Sequence, residues 1–163
     1  MSTAPFKALN DFALRRQDNR GHLDILYEQG EVVLKRSFSK AGVFRGMHYQ
    51  RAPYIQTKLI RVASGRILDF VVDPTGTPPR LHRRELGVAD GWVQIDPHFA
   101  HGFYTIEDTE FEYLCLGVYN EGAELCFSIV NFLQSKLGLT SLTLSDKDMA
   151  AEPLDVVDGG QYI

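Results

Sequence analysis

The chain has 163 residues, 44% of them hydrophobic and 11% aromatic, with a net charge of −4. That length suits one domain with a substantial core, and the composition argues against disorder. The mild acidity gives no reason to expect DNA or an anionic membrane as partner, and apolar runs such as "ILDFVV" are far too short to span a bilayer.

In chain order, "MSTAPFKALNDF" comes first and carries no apolar signal-peptide core, so a cytoplasmic protein is expected. Strand signals then follow one another at 31–39, 42–50, 57–65, 66–73, 83–88, 91–96, 101–106, 110–119 and 124–130. The breaks between them carry turn chemistry: Ser64-Gly65, "DPTGTPP", Asp90-Gly91 and Asn120-Glu121-Gly122. Many short strands at close spacing predict an all-β sandwich or barrel. Helical periodicity is weak outside "IVNFLQSKLGL" and "SDKDMA", where Ser145 is placed to cap a short helix with Asp148 in its first turn. The two cysteines, Cys115 and Cys126, have no histidine at close spacing and read as reduced core residues rather than zinc ligands.

Alternation along the strands gives side-chain directions. Leu68, Phe70 and Val72 share one face, with Asp69, Val71 and Asp73 on the other. Lys58 falls on the apolar face of Ile60 and Val62, and Tyr113 on that of Phe111 and Cys115. A lysine there either snorkels to a rim or enters a cavity. A buried phenol wants a hydrogen-bond partner. With Arg45, His48 and His101, these groups form a set that converges at the mouth of a small barrel. No His-x-His pair exists, since His48 is followed by Tyr49 and Gln50, and His98 and His101 would point to opposite faces of a strand. No metal is therefore expected. A histidine base, a cation for a developing oxyanion, a phenolic acid on the opposite side and a carboxylate behind the histidine suit proton abstraction next to a carbonyl, followed by return on the other face.

"VFRGMHYQ", "QTKLIRVASGRILDFVVD", "HFAHGF", "YLCLGVYN" and "LSDKD", in that order from about Asp18 to Pro153, resemble the dTDP-4-dehydrorhamnose 3,5-epimerase family of the cupin superfamily. The resemblance implies a double-stranded β-helix (jelly-roll) barrel formed as a single domain over 1–163, a few short helices mainly near the C-terminus, and a homodimer that exchanges part of 1–30 between subunits. It implies a cofactor-independent epimerase inverting C3, C5 or both of a nucleotide-linked 4-keto-6-deoxy sugar. His48 would be the base, Asp148 its carboxylate partner with Asp146 the neighbouring alternative, and Tyr113 the acid on the opposite face. Lys58 and His101 would face the ketone oxygen. Arg45 would bind phosphate, Arg20 would reach the nucleotide from a partner subunit, and Glu124 and Lys147 would make further substrate contacts.

Two of the chain's departures from the family pattern bear most on the substrate. The stretch before "FRGMHYQ" reads "VVLKRSFS", so Val33 and Lys35 stand where the family carries glutamine and asparagine. The tryptophan-rich segment that usually follows the tyrosine strand is replaced by "CFSIVNFLQSKLGLT". These changes leave the nucleotide and the number of inverted carbons open. A 3,4-ketoisomerase and a non-catalytic sugar-nucleotide-binding cupin are the alternative readings.

Overall fold

A computed structural model describes residues 5–11 and 13–163. Residues 1–4 and 12, part of the segment that the resemblance assigns to subunit exchange, lie outside the described residues. Among the described residues, thirteen strands form two sheets. The six-stranded sheet runs β1 (Leu14–Asp18), β2 (Gly21–Gln29), β3 (Val32–Ser39), β10 (Thr109–Leu116), β5 (Thr57–Ser64), β8 (Val93–Ile95). The seven-stranded sheet runs β12 (Glu152–Pro153), β11 (Glu124–Ser128), β4 (Phe44–Gln50), β9 (Ala100–Thr105), β6 (Arg66–Val72), β7 (Arg80–Gly87), β13 (Val157–Tyr162). Two facing sheets whose neighbours are mostly not consecutive in the chain make the jelly roll that the resemblance implied, within the sandwich-or-barrel class that the strand spacing predicted. All nine predicted strands are present, with ends moved by a few residues.

The core divides in two. Ile60, Val62, Ile67, Leu86, Ile95, Phe103 and Phe111 fill the closed end of the barrel between the sheets. Phe44, Met47, Phe70, Val72, Leu81 and Ala100 lie on the outer face of the seven-stranded sheet, under Ile129, Phe132 and Leu133. Helix α1 (Val130–Leu137) supplies that cover and ends at Gly138, which takes the left-handed conformation at φ 68°. The seven-stranded sheet is therefore buried on both faces. That is why β6 reads as a nearly continuous apolar run, while its Asp69 still points the opposite way from Phe70 and Val72.

The β1–β2 hairpin was not expected as strand; β1 carries no apolar alternation and is exposed throughout. Charge attaches it instead. Arg15 grips Asp24 with two 2.8 Å hydrogen bonds, Asp24 lies opposite Arg36, Arg36 and Arg61 both bond Glu112, and Arg61 covers the Trp92 ring at 4.9 Å. The successive register pairs Arg15–Asp24–Arg36–Glu112–Arg61 alternate in sign across five neighbouring strands of the sheet's outer face. Opposite charges directly across a ladder are the favourable arrangement. The C-terminal β13, with two glycines in its middle, was also missed, and adds in parallel to β7.

Candidate active site

Strand β4 answers why an arginine and a histidine stand three residues apart. In a regular strand, Arg45 and His48 would face opposite sides. The β4–β9 register shifts between them, so the extra residue turns both toward the barrel mouth. The bulge depends on two glycines meeting. Gly46 has φ 130°, and a Cβ on it would sit 2.5 Å from the Gly102 Cα; a Cβ on Gly102 would sit 2.7 Å from the Arg45 carbonyl oxygen. His48 then lies opposite His101 in the ladder.

One cavity of about 540 Å³ opens at this mouth, and His48, Arg45, Lys58, His101, Tyr113 and Glu124 all line it, with Arg20 and Lys147 at its margin. Lys58 and Tyr113 enter from β5 and β10, on the faces that alternation assigned to them.

Asp148 reaches His48 through the helix cap. Ser145 Oγ accepts the Asp148 backbone N–H at 3.1 Å and starts α2 (Asp146–Met149), four residues long. This turn buries Asp148 and leaves Asp146 exposed, which removes the alternative. His48 Nε2 is 2.8 Å from Asp148 Oδ1, and the Gly46 N–H donates to Oδ2 at 3.3 Å. Burial raises the carboxyl's pKa, but the hydrogen bond and charge of His48 outweigh it and hold the group below its usual range. Asp148 is thus ionised at neutral pH and orients the ring.

A second imidazole–carboxylate pair lies deeper. His101 Nε2 is 2.6 Å from Asp69 Oδ1, both side chains buried, with the ring stacked 6.5 Å from that of Phe111. Burial raises the Asp69 pKa, against the pull of His101 and Lys58. Asp69 was missed as a site residue, although alternation already pointed it away from the apolar face of β6.

Lys58 carries no ion pair among the described residues. Burial lowers its pKa, as does the nearby charge of Lys35. Tyr113 finds no hydrogen-bond partner among the described residues, against expectation, and burial lifts its pKa to about 12. It is a neutral phenol facing the cavity. Arg45 is buried, donates from Nε to Ser39 Oγ at 2.8 Å, and has no carboxylate partner among the described residues. Glu124 accepts from Lys147 at 2.6 Å and from the Tyr119 hydroxyl at 2.9 Å.

The β1–β2 turn of this chain carries Arg20 to the mouth, where Asp18 holds it at 2.5 Å and Asp148 lies 3.8 Å away. One expectation needs correction. Cys115 is buried as expected, but Cys126 is not a core residue without a histidine nearby. It pairs with His48 across the β4–β11 ladder, and its Sγ is 3.3 Å from Asp148 Oδ1. Sequence distance hid a contact that strand register creates.

The fold and the residues at its mouth define a cupin: a jelly-roll barrel open at one end onto a pocket of ionisable side chains. The dTDP-4-dehydrorhamnose 3,5-epimerase family model matches residues 15–155, and the chain belongs to that family. The dTDP-4-dehydrorhamnose 3,5-epimerase of Escherichia coli (strain K12) is 32% identical over 136 residues, covering 79% of this chain and 74% of that one. The chain spans about half the length of the first curated relatives it matches. The crystal structure of dTDP-4-dehydrorhamnose 3,5-epimerase from Sulfolobus tokodaii superposes with a TM-score of 0.67 at 30% identity, over 88% of this chain and 90% of that one. The Legionella pneumophila Philadelphia 1 enzyme dTDP-6-deoxy-D-glucose-3,5-epimerase, solved in complex with dTDP-4-keto-L-rhamnose, gives a TM-score of 0.62 at 26% identity, over 93% of this chain and 91% of that one.

Proposed function

We propose that this chain is a cofactor-independent epimerase that inverts C3, C5 or both of a dTDP-linked 4-keto-6-deoxy sugar through an enolate. The observation that carries the reading is the one cavity lined jointly by His48, Lys58 and Tyr113, with Asp148 bonded behind His48. The names of the relatives, and the ligand of the Legionella enzyme, support the nucleotide and the sugar class.

In this reading His48 removes the proton next to the ketone, and the ionised Asp148 stabilises the imidazolium that forms. Negative charge moves to the ketone oxygen, where the Lys58 ammonium and the His101 ring meet it. One such donor is worth roughly 3–4 kcal/mol of transition-state stabilisation. Tyr113, a neutral phenol, delivers a proton from the other side. Its high pKa makes it a weak acid toward water but a suitable one toward a carbanion. Arg45 holds the diphosphate, so binding far from the reacting carbon positions the sugar. Arg20, Glu124 and Lys147 border the substrate at the rim. The reading includes a homodimer and a cytoplasmic setting.

The test is solvent deuterium incorporation into dTDP-4-keto-6-deoxyglucose, followed by NMR. The wild type incorporates deuterium at C3, C5 or both and accumulates the inverted sugar. His48→Ala abolishes exchange, while Tyr113→Phe keeps exchange but loses inversion. Wild-type behaviour of both variants would refute the roles. A carbonyl displaced from C4 to C3 would mean a ketoisomerase, and binding without any exchange a non-catalytic cupin.

A further inference from the structure

The proton-transfer chemistry uses His48 and Asp148 but leaves Cys126 without a task. Its thiol shares Asp148 Oδ1 with the His48 ring, at 3.3 Å and 2.8 Å. The His48 ring nitrogen, the Cys126 sulfur and the Asp148 oxygen all lie within 4.8 Å of one another. Around a tetrahedral zinc ion, bond lengths of about 2.0–2.3 Å put neighbouring ligand atoms roughly 3.3–3.7 Å apart. The sulfur–oxygen pair already matches that spacing, and the nitrogen–oxygen pair must widen by roughly half an ångström to hold a cation. Its donors are the nitrogen, sulfur and oxygen types that zinc takes, and three protein ligands leave a fourth position for water. In the free protein the Cys126 thiol donates to Asp148 Oδ1.

We propose that His48 Nε2, Cys126 Sγ and Asp148 Oδ1 form a binding site for zinc or another thiophilic divalent cation, and that its occupation switches off the base. On binding, the cation takes one lone pair each from sulfur, nitrogen and carboxylate oxygen. Cys126 releases its proton to solvent. The proton that Nε2 shares with Asp148 passes to Nδ1. The imidazole then has metal on one nitrogen and hydrogen on the other, and no lone pair remains to accept a substrate proton. Arg45 and the outer pocket are untouched, so the nucleotide still binds. The cation site stands on geometry alone; the switching consequence rests on the proposed epimerase reading.

Cadmium titrated into the full chain reads the site directly, through the sulfur-to-cadmium charge-transfer absorption. One equivalent is expected in the wild type and none in Cys126→Ser. Zinc should abolish deuterium exchange, reversibly with a chelator. Each protein is compared with its own metal-free rate. The zinc concentration needed should rise in Cys126→Ser by at least the ~10–100-fold that even an outer partner of a metal is worth. dTDP affinity, measured calorimetrically, should be unchanged by zinc. A cadmium band that is absent, or that survives in Cys126→Ser, overturns the site. Zinc that weakens dTDP binding as much as it slows exchange overturns the switch. A Cys126-dependent band in a chain that exchanges no deuterium upholds the site and refutes the epimerase reading instead.

Discussion

His48 on β4 and Asp148 on α2 meet at 2.8 Å, and the carboxylate is held from its far side by the Gly46 N–H. Asp148→Asn keeps the shape but removes the charge that stabilises an imidazolium, and an amide does not fix the ring's tautomer. kcat is expected to fall ~10²–10⁴-fold, with KM within a few-fold of wild type. Steady-state kinetics separate the two. A variant that changes KM alone would mean that Asp148 serves binding and not the base.

Lys58 gives the pH dependence a sign. Burial lowers its pKa from the ordinary 10.5, and the ketone oxygen is served by the protonated form. The contribution of Lys58 is therefore complete below its lowered pKa and is lost as pH rises through it, so the alkaline limb of kcat falls below pH 10.5. Lys58→Arg should carry that limb upward, because a guanidinium stays charged. Lys58→Met should remove it and cost ~10²–10³-fold in kcat. An alkaline limb that Lys58→Arg leaves in place belongs to another group.

Lys35 stands where the family usually carries asparagine. Its Nζ lies 5.8 Å from the Tyr113 ring centre and 5.9 Å from that of Tyr119, between the inner pocket and its mouth. Among the described residues it has no carboxylate partner, whereas Arg20 is neutralised by Asp18. Arg45 and Lys35 together match the two charges of a diphosphate diester. Lys35→Asn should weaken dTDP binding by about 1.5–3 kcal/mol, or roughly 10–100-fold, with kcat little changed and a shallower salt dependence of KM. A kcat loss with unaltered dTDP affinity would assign Lys35 to the sugar end.

Side chains on regular strands were legible from alternation. Lys58 and Tyr113 point into the barrel because β5 and β10 keep their period past the residues that matter. Asp148 was legible through a local rule, the cap at Ser145. What alternation alone could not supply was anything created by register or by a break in period. Cys126 meets His48 only because β11 pairs with β4, and Asp69 meets His101 diagonally across β6 and β9. Strand β1 was invisible to an apolar pattern because its outward side chains are held by the Arg15–Asp24–Arg36 charge ladder. That ladder also explains why Arg20 is found at its own chain's mouth.

The Gly46–Gly102 crossing is where fold and site depend on the same atoms. Gly46→Ala meets two obstacles at once: φ 130° is a conformation that alanine rarely adopts, and its Cβ would stand 2.5 Å from one backbone atom and 2.8 Å from the His101 carbonyl oxygen. Backbone cannot yield as a flexible side chain can, so β4 and β9 must separate. The expected cost is roughly 2–4 kcal/mol, read as a lower urea midpoint with an unchanged slope. Separation also undoes the shift that turns Arg45 and His48 to the same mouth. Activity in the remaining folded protein should therefore fall further than Asp148→Asn lowers it, with dTDP binding weakened in parallel. Full activity in a destabilised Gly46→Ala would show that the bulge supports the fold without positioning the site.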